Sequence, residues 1–271
     1  MKTKYKILIA QILFYFFSFF LIKTKFVCKR CNVIYNLDLR EAIDLHIFIF
    51  GKFESEIIKS ASKLNLTKKK IIIDIGSNIG VQTFQFASQF ENSKVYSIEP
   101  TNYAYKKLIS NLKLNPSLSG RIFPFQLYIS DNFHKPKKTY SSWNLKVKKK
   151  KHKDHRGIKK SIYNSNIISL DKFILNNNIE NVDFIKLDVD GSELKVLQSC
   201  KNFLLKKKPI IFMELAPYLY PEFGYSVGDL INFLKNMNYN FYEIRTIKKI
   251  DRIYDYINLI KQGSSKNVIL M

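Results

Sequence analysis

The sequence predicts an α/β fold: a seven-stranded, mostly parallel sheet with helices on both faces, preceded by an N-terminal apolar helix. Three observations carry this expectation. From about residue 70 onward, short β-branched runs alternate with helical stretches, the pattern of a parallel sheet joined by crossover helices. The first of those runs leads into a glycine-bearing turn, IDIGSNIG at 73–80, that opens a helix. The second run ends in an acid, Glu99, followed at once by Pro100.

At the N-terminus, residues 7–22 (ILIAQILFYFFSFFLI) carry no charge and are framed by Lys2, Lys4 and Lys6 before them and by Lys23, Lys25, Lys29 and Arg30 after them. As a helix this run spans about 24 Å at roughly 1.5 Å per residue, short of a hydrocarbon core but near enough for the flanking lysines to snorkel. Residues 1–25 are therefore expected to form a membrane anchor through 7–22, with the Lys-rich remainder of the chain on the cytoplasmic side. A cleaved signal peptide lacks its small-residue cleavage site in the KTKFV that follows. A helix buried against a soluble cytoplasmic domain is the other alternative.

Residues 26–69 are expected to form a pre-domain helical segment, whose apolar face at Ile43, Ile47 and Phe50 covers one end of the sheet. In the main domain, residues 70–271, strands are expected at 71–75, 94–99, 122–130, 183–189, 209–215, 239–245 and 267–271. Residues 146–160, with nine Lys or Arg around the lone Asp154, read as an exposed inserted loop.

A chain of 271 residues with 46% hydrophobic content is large enough for one well-buried α/β domain and a small appendage, which argues against wholesale disorder. Its 45 Lys+Arg against 22 Asp+Glu leave a net charge of +23, but only six of the basic residues are Arg. A reader of phosphates favours Arg forks at its contacts, so the excess is read as solvated and no nucleic-acid partner is expected. Cys28, Cys31 and Cys200 leave one thiol over and make no disulfide framework, and the CxxC of Cys28 and Cys31 has no second pair or nearby His to complete a zinc site. Nor do His46, His134, His152 and His155 show ligand spacing, so no metal is expected.

The turn at 73–80 assigns work to each residue type. Gly76 lets the backbone pass close to a ligand, Gly80 lets the helix pack near the strand, and the helix N-terminus offers free N–H groups. The GxxxG spacing, with Asp74 in the strand, departs from the GxGxxG of dinucleotide sites and suits an amino-acid-bearing cofactor better than a pyrophosphate. Glu99, at the tip of the second strand, can accept both ribose hydroxyls of a nucleoside. Asp131, with Ser130, ends the third strand and is a candidate partner for the adenine amino group.

Three segments together, IDIGSNIGVQTFQFA, SIEPTNYAYKKLISNLKLN and SLDKFILNNNIENVDFIKLDVDGSELKVLQ, resemble the FkbM-type methyltransferases, the third most specifically. The resemblance runs from about residue 70 to 215. It implies a Rossmann-like class I methyltransferase fold, S-adenosyl-L-methionine as cofactor, and O-methylation of a small-molecule or glycan acceptor. It also implies that Asp74, Gly76, Asn78, Gly80 and Glu99, with Ser77 between them, hold the cofactor, and that Asp188 lies beside the methyl group. Asp190 stands where the family more usually has Glu.

Methyl transfer is an in-line displacement from a sulfonium, so the protein must align donor and acceptor and, for a hydroxyl, remove a proton. Carboxylates are the available bases. Asp188, Asp190 and Glu193 follow one strand and Glu214 ends the next, so Asp188 is expected to orient or deprotonate the acceptor, with Glu193 or Glu214 in support. Competing readings are that Glu193 caps its helix, that Glu214 pairs with a Lys, and that a divalent cation bridges Asp188 and Glu214. At the level of function, the alternatives are an RNA ribose 2'-O-methyltransferase and a non-catalytic, membrane-tethered binding protein. Neither a DPPY-like motif for amino nitrogen nor a Pro-Cys nucleophile for carbon is present.

Overall fold

The protein is described here by a computed structural model in which residues 2–68, 70–131, 136–147 and 151–271 are placed. Ahead of the sheet, α1 (Thr3–Phe20) leads into a hairpin of β1 (Lys25–Arg30) and β2 (Val33–Asp38), followed by α2 (Ala42–Phe50) and α3 (Ser55–Lys63). The sheet opens with β3 (Ile71–Ile75), α4 (Val81–Gln89), β4 (Lys94–Ile98), α5 (Asn102–Leu114) and β5 (Ile122–Phe125). An insertion follows, made of β6 (Leu127–Ile129), β7 (Lys138–Ser142), β8 (Ile158–Ser161) and β9 (Asn166–Ile168). The chain returns through α6 (Leu170–Asn176), β10 (Phe184–Leu187), α7 (Glu193–Gln198), α8 (Lys201–Lys207) and β11 (Ile210–Leu215). It ends with α9 (Val227–Asn236), β12 (Phe241–Glu243), α10 (Ile253–Asn258) and β13 (Lys266–Leu270).

Seven strands form the main sheet in the order β12-β13-β11-β10-β3-β4-β5, and only β13 runs against its neighbours. The strand order reverses between β3 and β10, which opens a crevice at their C-terminal ends. Both faces of the sheet are covered, because successive side chains point to opposite sides. Ile73, Ile185, Leu187 and Ile211 pack with α6 to α9, while Ile72, Phe184 and Phe212 pack with Phe84 and Phe86 of α4. The second core also takes in Val33, Tyr35 and Leu37 of β2, Ile47 of α2 and Ile57 of α3, so the segment before residue 70 shares a core with the sheet.

Three elements differ from the sequence expectation. The single strand expected at 122–130 is two: β5 forms the sheet edge, where Pro124 costs no ladder bond to a further strand, and β6 departs to pair with β9. Residues 26–69 contain a β-hairpin, not helices alone. Its turn residues Cys31 (φ 44) and Asn32 (φ 63) are both left-handed, as a two-residue type I′ turn requires, which places Cys31 in the turn and Cys28 in β1. Residues 158–160, expected in a loop, belong to β8, which pairs with β7. Residues 148–150 of that expected loop, and His134, lie outside the described residues.

The apolar helix forms, but the expected membrane-spanning anchor does not: among the described residues no helix is long and apolar enough to cross a membrane. Lys4 and Lys6 fall inside α1, and one face of the helix has a protein surface to bury against. Ile7 and Phe14 pack with Leu39, Leu45 and Leu145, and Gln11 Nε2 donates to the Leu145 carbonyl at 2.9 Å.

Candidate active site

At the crevice, β3 ends in the turn that the glycines shape. Gly76 (φ 79) is held so close to β10 that a Cβ would stand 1.7 Å from the Asp188 carbonyl oxygen. At Gly80 (φ 90) a Cβ would meet Leu108 of α5 at 2.4 Å and Phe84 at 2.6 Å, so the close packing there is to helices and not to the strand. Between them Asn78 (φ 52) also adopts a left-handed conformation, which Asn tolerates better than most residues.

Glu99 follows β4 and is 4% exposed. One carboxylate oxygen accepts from Asn78 N at 3.0 Å and the other from Thr101 N at 2.9 Å and Thr101 Oγ1 at 2.6 Å. Burial outweighs these bonds and pushes its pKa up to about 7. The insertion folds over this turn: Thr101 Oγ1 and Ser141 Oγ are 2.7 Å apart, and Asn78 Nδ2 donates to the Ser141 carbonyl.

Lys186 is the cation of the site. It lies on β10 opposite Asp74 in the parallel register and two residues before Asp188, so all three point to one face of the sheet. Its ammonium donates to the Gly76 carbonyl at 3.2 Å and to Asp188 Oδ2 at 3.3 Å, and lies 3.7 Å from Asp74 Oδ1. Burial works against the charge, but Asp188 and Asp74 more than offset it and hold the Lys186 pKa above its ordinary value.

One cavity joins the two halves. Gly76, Ser77, Asn78 and Glu99 line it together with Tyr128, Lys186, Asp188, Asp190, Glu214 and Glu54. Burial raises the Asp188 pKa against the pull of Lys186, and burial together with the charges of Asp188 and Asp190 raises Glu214 well above the carboxylate range. Glu54, held at φ 49 just before α3, is pushed up to about 8 by burial and by the charge of Asp188. Asp190 behaves differently. Burial alone would raise it, but His155 Nε2 lies 2.9 Å from its carboxylate and holds it below the usual range, while Asp190 raises His155 in return. His155 is wedged between Tyr140 and Trp143, ring centroids 5.1 and 4.9 Å away.

The sequence-derived residues therefore divide. Gly76, Ser77, Asn78, Glu99, Asp188 and Glu214 line the cavity. Asp74 is fully buried beneath it, accepting from Thr83 Oγ1 at 2.5 Å, and Gly80 serves packing. Asp131 is exposed and receives Ser130 Oγ at 3.3 Å, away from the cavity lining. Glu193 accepts from the backbone N–H groups of Val189 and Gly191 at 3.3 and 3.2 Å, so it ties the turn after β10. Glu214 accepts from Ser265 Oγ, not from a Lys. Asp188, Asp190 and Glu214 bring carboxylate oxygens within 4.8 Å of one another, near enough to share a cation, which adds Asp190 to the Asp188–Glu214 pair weighed from the sequence as a cation bridge.

Lys186, Glu54 and His155 were not singled out from the sequence. Lys186 carried a signal, a charged residue within the apolar run FIKL; Glu54 and His155 reach the site from distant segments and carried none.

The cavity fits a polar, amino-acid-bearing nucleoside. Ser77 Oγ and Gln82 Oε1 line it, are buried, and have no hydrogen-bond partner among the described residues.

The model of the FkbM methyltransferase domain matches residues 74–241. The methyltransferase sdnD of Sordaria araneosa is 30% identical over 90 residues, 31% of this chain and 35% of sdnD, so the chain spans about a third of that relative. Among solved structures, the FkbM methyltransferase of Methylobacillus flagellatus is 16% identical with a TM-score of 0.46, covering 75% of this chain and 44% of that one. Fibrillarin of Aeropyrum pernix, with natively bound S-adenosyl-L-methionine, is 10% identical with a TM-score of 0.45, covering 80% of this chain and 73% of its own. With the family model matched over more than half of its length, the chain belongs to the FkbM family of S-adenosylmethionine-dependent methyltransferases.

Proposed function

We propose that this protein transfers the methyl group of S-adenosylmethionine to a hydroxyl oxygen of a sugar, glycan or other small molecule. The observation that supports this reading is a single cavity shared by a nucleoside-type lining, Gly76 to Asn78 with Glu99, and a carboxylate group whose Asp188 is fixed by a buried lysine. When bound, the cofactor supplies an electrophilic methyl on a sulfonium. Glu99 would accept its ribose hydroxyls, and Ser77 Oγ with the free N–H groups at the start of α4 would take its amino-acid carboxylate.

Asp188 is the group assigned to the acceptor proton. Lys186 fixes one of its oxygens, leaving the other to face a hydroxyl, and its raised pKa makes it a stronger base than a solvated carboxylate. Glu214 and Glu54, which line the same cavity and hold protons more tightly than free carboxyls, offer hydrogen bonds to further hydroxyls of a polyol. Asp74 and Glu193 serve as positioning residues, the first for Lys186 and the second for the turn that carries Asp188.

The test is turnover of labelled S-adenosylmethionine against a panel of free sugars, glycosides and simple alcohols, with Asp188→Asn beside the wild type. Loss of about 100-fold or more in turnover with cofactor affinity retained is expected, the size of a general-base contribution. A D188N variant with full turnover would remove Asp188 from the chemistry.

A further inference from the structure

The outer face of α1 is apolar from Leu8 to Phe20. Ile7 and Phe14 turn inward, whereas Leu8, Ile12, Tyr15, Phe16, Phe19 and Phe20 are exposed, Phe19 at 84%. Their spacing of three and four residues sets them along one stripe of the helix, about 18 Å long from Leu8 to Phe20 at roughly 1.5 Å per residue. Scattered exposed hydrophobics need no explanation, but an aromatic-rich contiguous stripe of this length marks a contact surface.

What surrounds the stripe is basic. Lys4 and Lys6 are exposed at its start, and Lys23 follows its end. The next element continues the pattern, since β1 turns Lys25, Val27 and Lys29 outward together. No acidic residue lies between Met1 and Arg30, and the chain as a whole carries +23.

We propose that α1 docks this protein on an anionic phospholipid surface, lying in the plane of the bilayer with its outer stripe in the acyl boundary and the flanking lysines at the headgroups. The geometry favours lying flat over spanning, because the inner face of α1 stays buried on Leu39, Leu45 and Leu145. Apolar insertion and basic flanks are the two signals that together give stable but reversible attachment. The position of the helix also connects docking to the site. A cavity of about 930 Å³ has Lys6, Ile9 and Leu13 on its lining together with Glu54, Glu214 and Trp143, so the docking helix borders the approach to the carboxylates.

The test is sedimentation of the full chain with vesicles of phosphatidylcholine, with and without phosphatidylserine, beside Ile12→Glu and Phe16→Glu. Both variants change exposed positions, and their melting temperatures and cofactor affinity in vesicle-free buffer report intact folding independently of docking. Binding that needs phosphatidylserine, weakens with salt, falls about tenfold or more in each variant and is released by alkaline carbonate is expected. Absence of wild-type binding, unchanged binding in both variants, or resistance to carbonate extraction would each overturn the proposal. So would a stable dimer in solution that Phe16→Glu dissociates, which would assign the stripe to a second copy of the chain.

Discussion

At Lys186 a single side chain holds two carboxylates that could not share a dry site without it. Asp74 is fully buried and Asp188 is partly buried, with 27% of its side chain exposed, and both draw on the same ammonium. Removing one member of such a cluster leaves an uncompensated buried charge, so Lys186→Met should lower unfolding free energy by about 3–5 kcal/mol in a denaturant titration. A change below about 1 kcal/mol would mean that solvent already reaches the pair. Glu99 gives a prediction in pH. Its folded pKa of about 7 lies above the ordinary 4.5, so the stability it contributes is full below about 4.5 and is lost as pH rises through 7. In the proposed role the ionised form accepts two ribose hydroxyls, so cofactor affinity should climb as pH passes upward through about 7. Titration calorimetry on either side of that value, with Glu99→Gln as the variant lacking the step, checks it; equal affinities would remove Glu99 from the ribose.

At the scale of elements, the hairpin before the domain owes its sharp reversal to two non-glycine residues with positive φ, Cys31 and Asn32. Replacing the pair by Asn-Gly should raise stability by up to about 1 kcal/mol, and replacing Cys28 and Cys31 by Ser should leave cofactor affinity unchanged. A zinc-dependent melting temperature in the wild type would contradict this account of the CxxC. The same hairpin marks the boundary of what the sequence disclosed. Strands β3, β4, β10 and β11 were legible because a doubly covered parallel sheet demands unbroken apolar runs, which IIIDI and IIFMEL supply. Strands β1 and β2 were hidden by turn residues outside the usual Asn-Gly signal, and β6 by its continuity with β5 across Gln126. The site shows the same division: its donor side is one contiguous motif, whereas Glu54, Trp143 and His155 arrive from segments that only tertiary packing brings to Asp188.

For the molecule as a whole, the site gathers carboxylates around a few cations despite a chain carrying +23. Lys186 answers Asp188 and Asp74, and His155, whose pKa Asp190 raises against the effect of burial, answers Asp190, while Glu54 and Glu214 are held towards their neutral forms. A sulfonium entering beside them would reverse that preference, so cofactor binding near pH 8 should expel protons. Calorimetry in buffers of different ionisation enthalpy would reveal this as a buffer-dependent binding heat; identical heats would count against it. Because the ammonium already pairs with Asp188, methyl transfer should also persist in chelator, and restoration of activity by added magnesium alone would show otherwise.

Gly76 links these scales. Its α-carbon abuts the carbonyl of Asp188, with no room for a methyl group between them. On the proposed assignment, the loop that would receive the donor and the turn that would receive the acceptor form a single mechanical part, and an error in one is transmitted to the other. A screen that sorts variants into those that bind poorly and those that react slowly will find no such separation at this position, since Gly76→Ala should worsen both at once. On that assignment, donor and acceptor sites cannot be retuned independently at the seam where they meet.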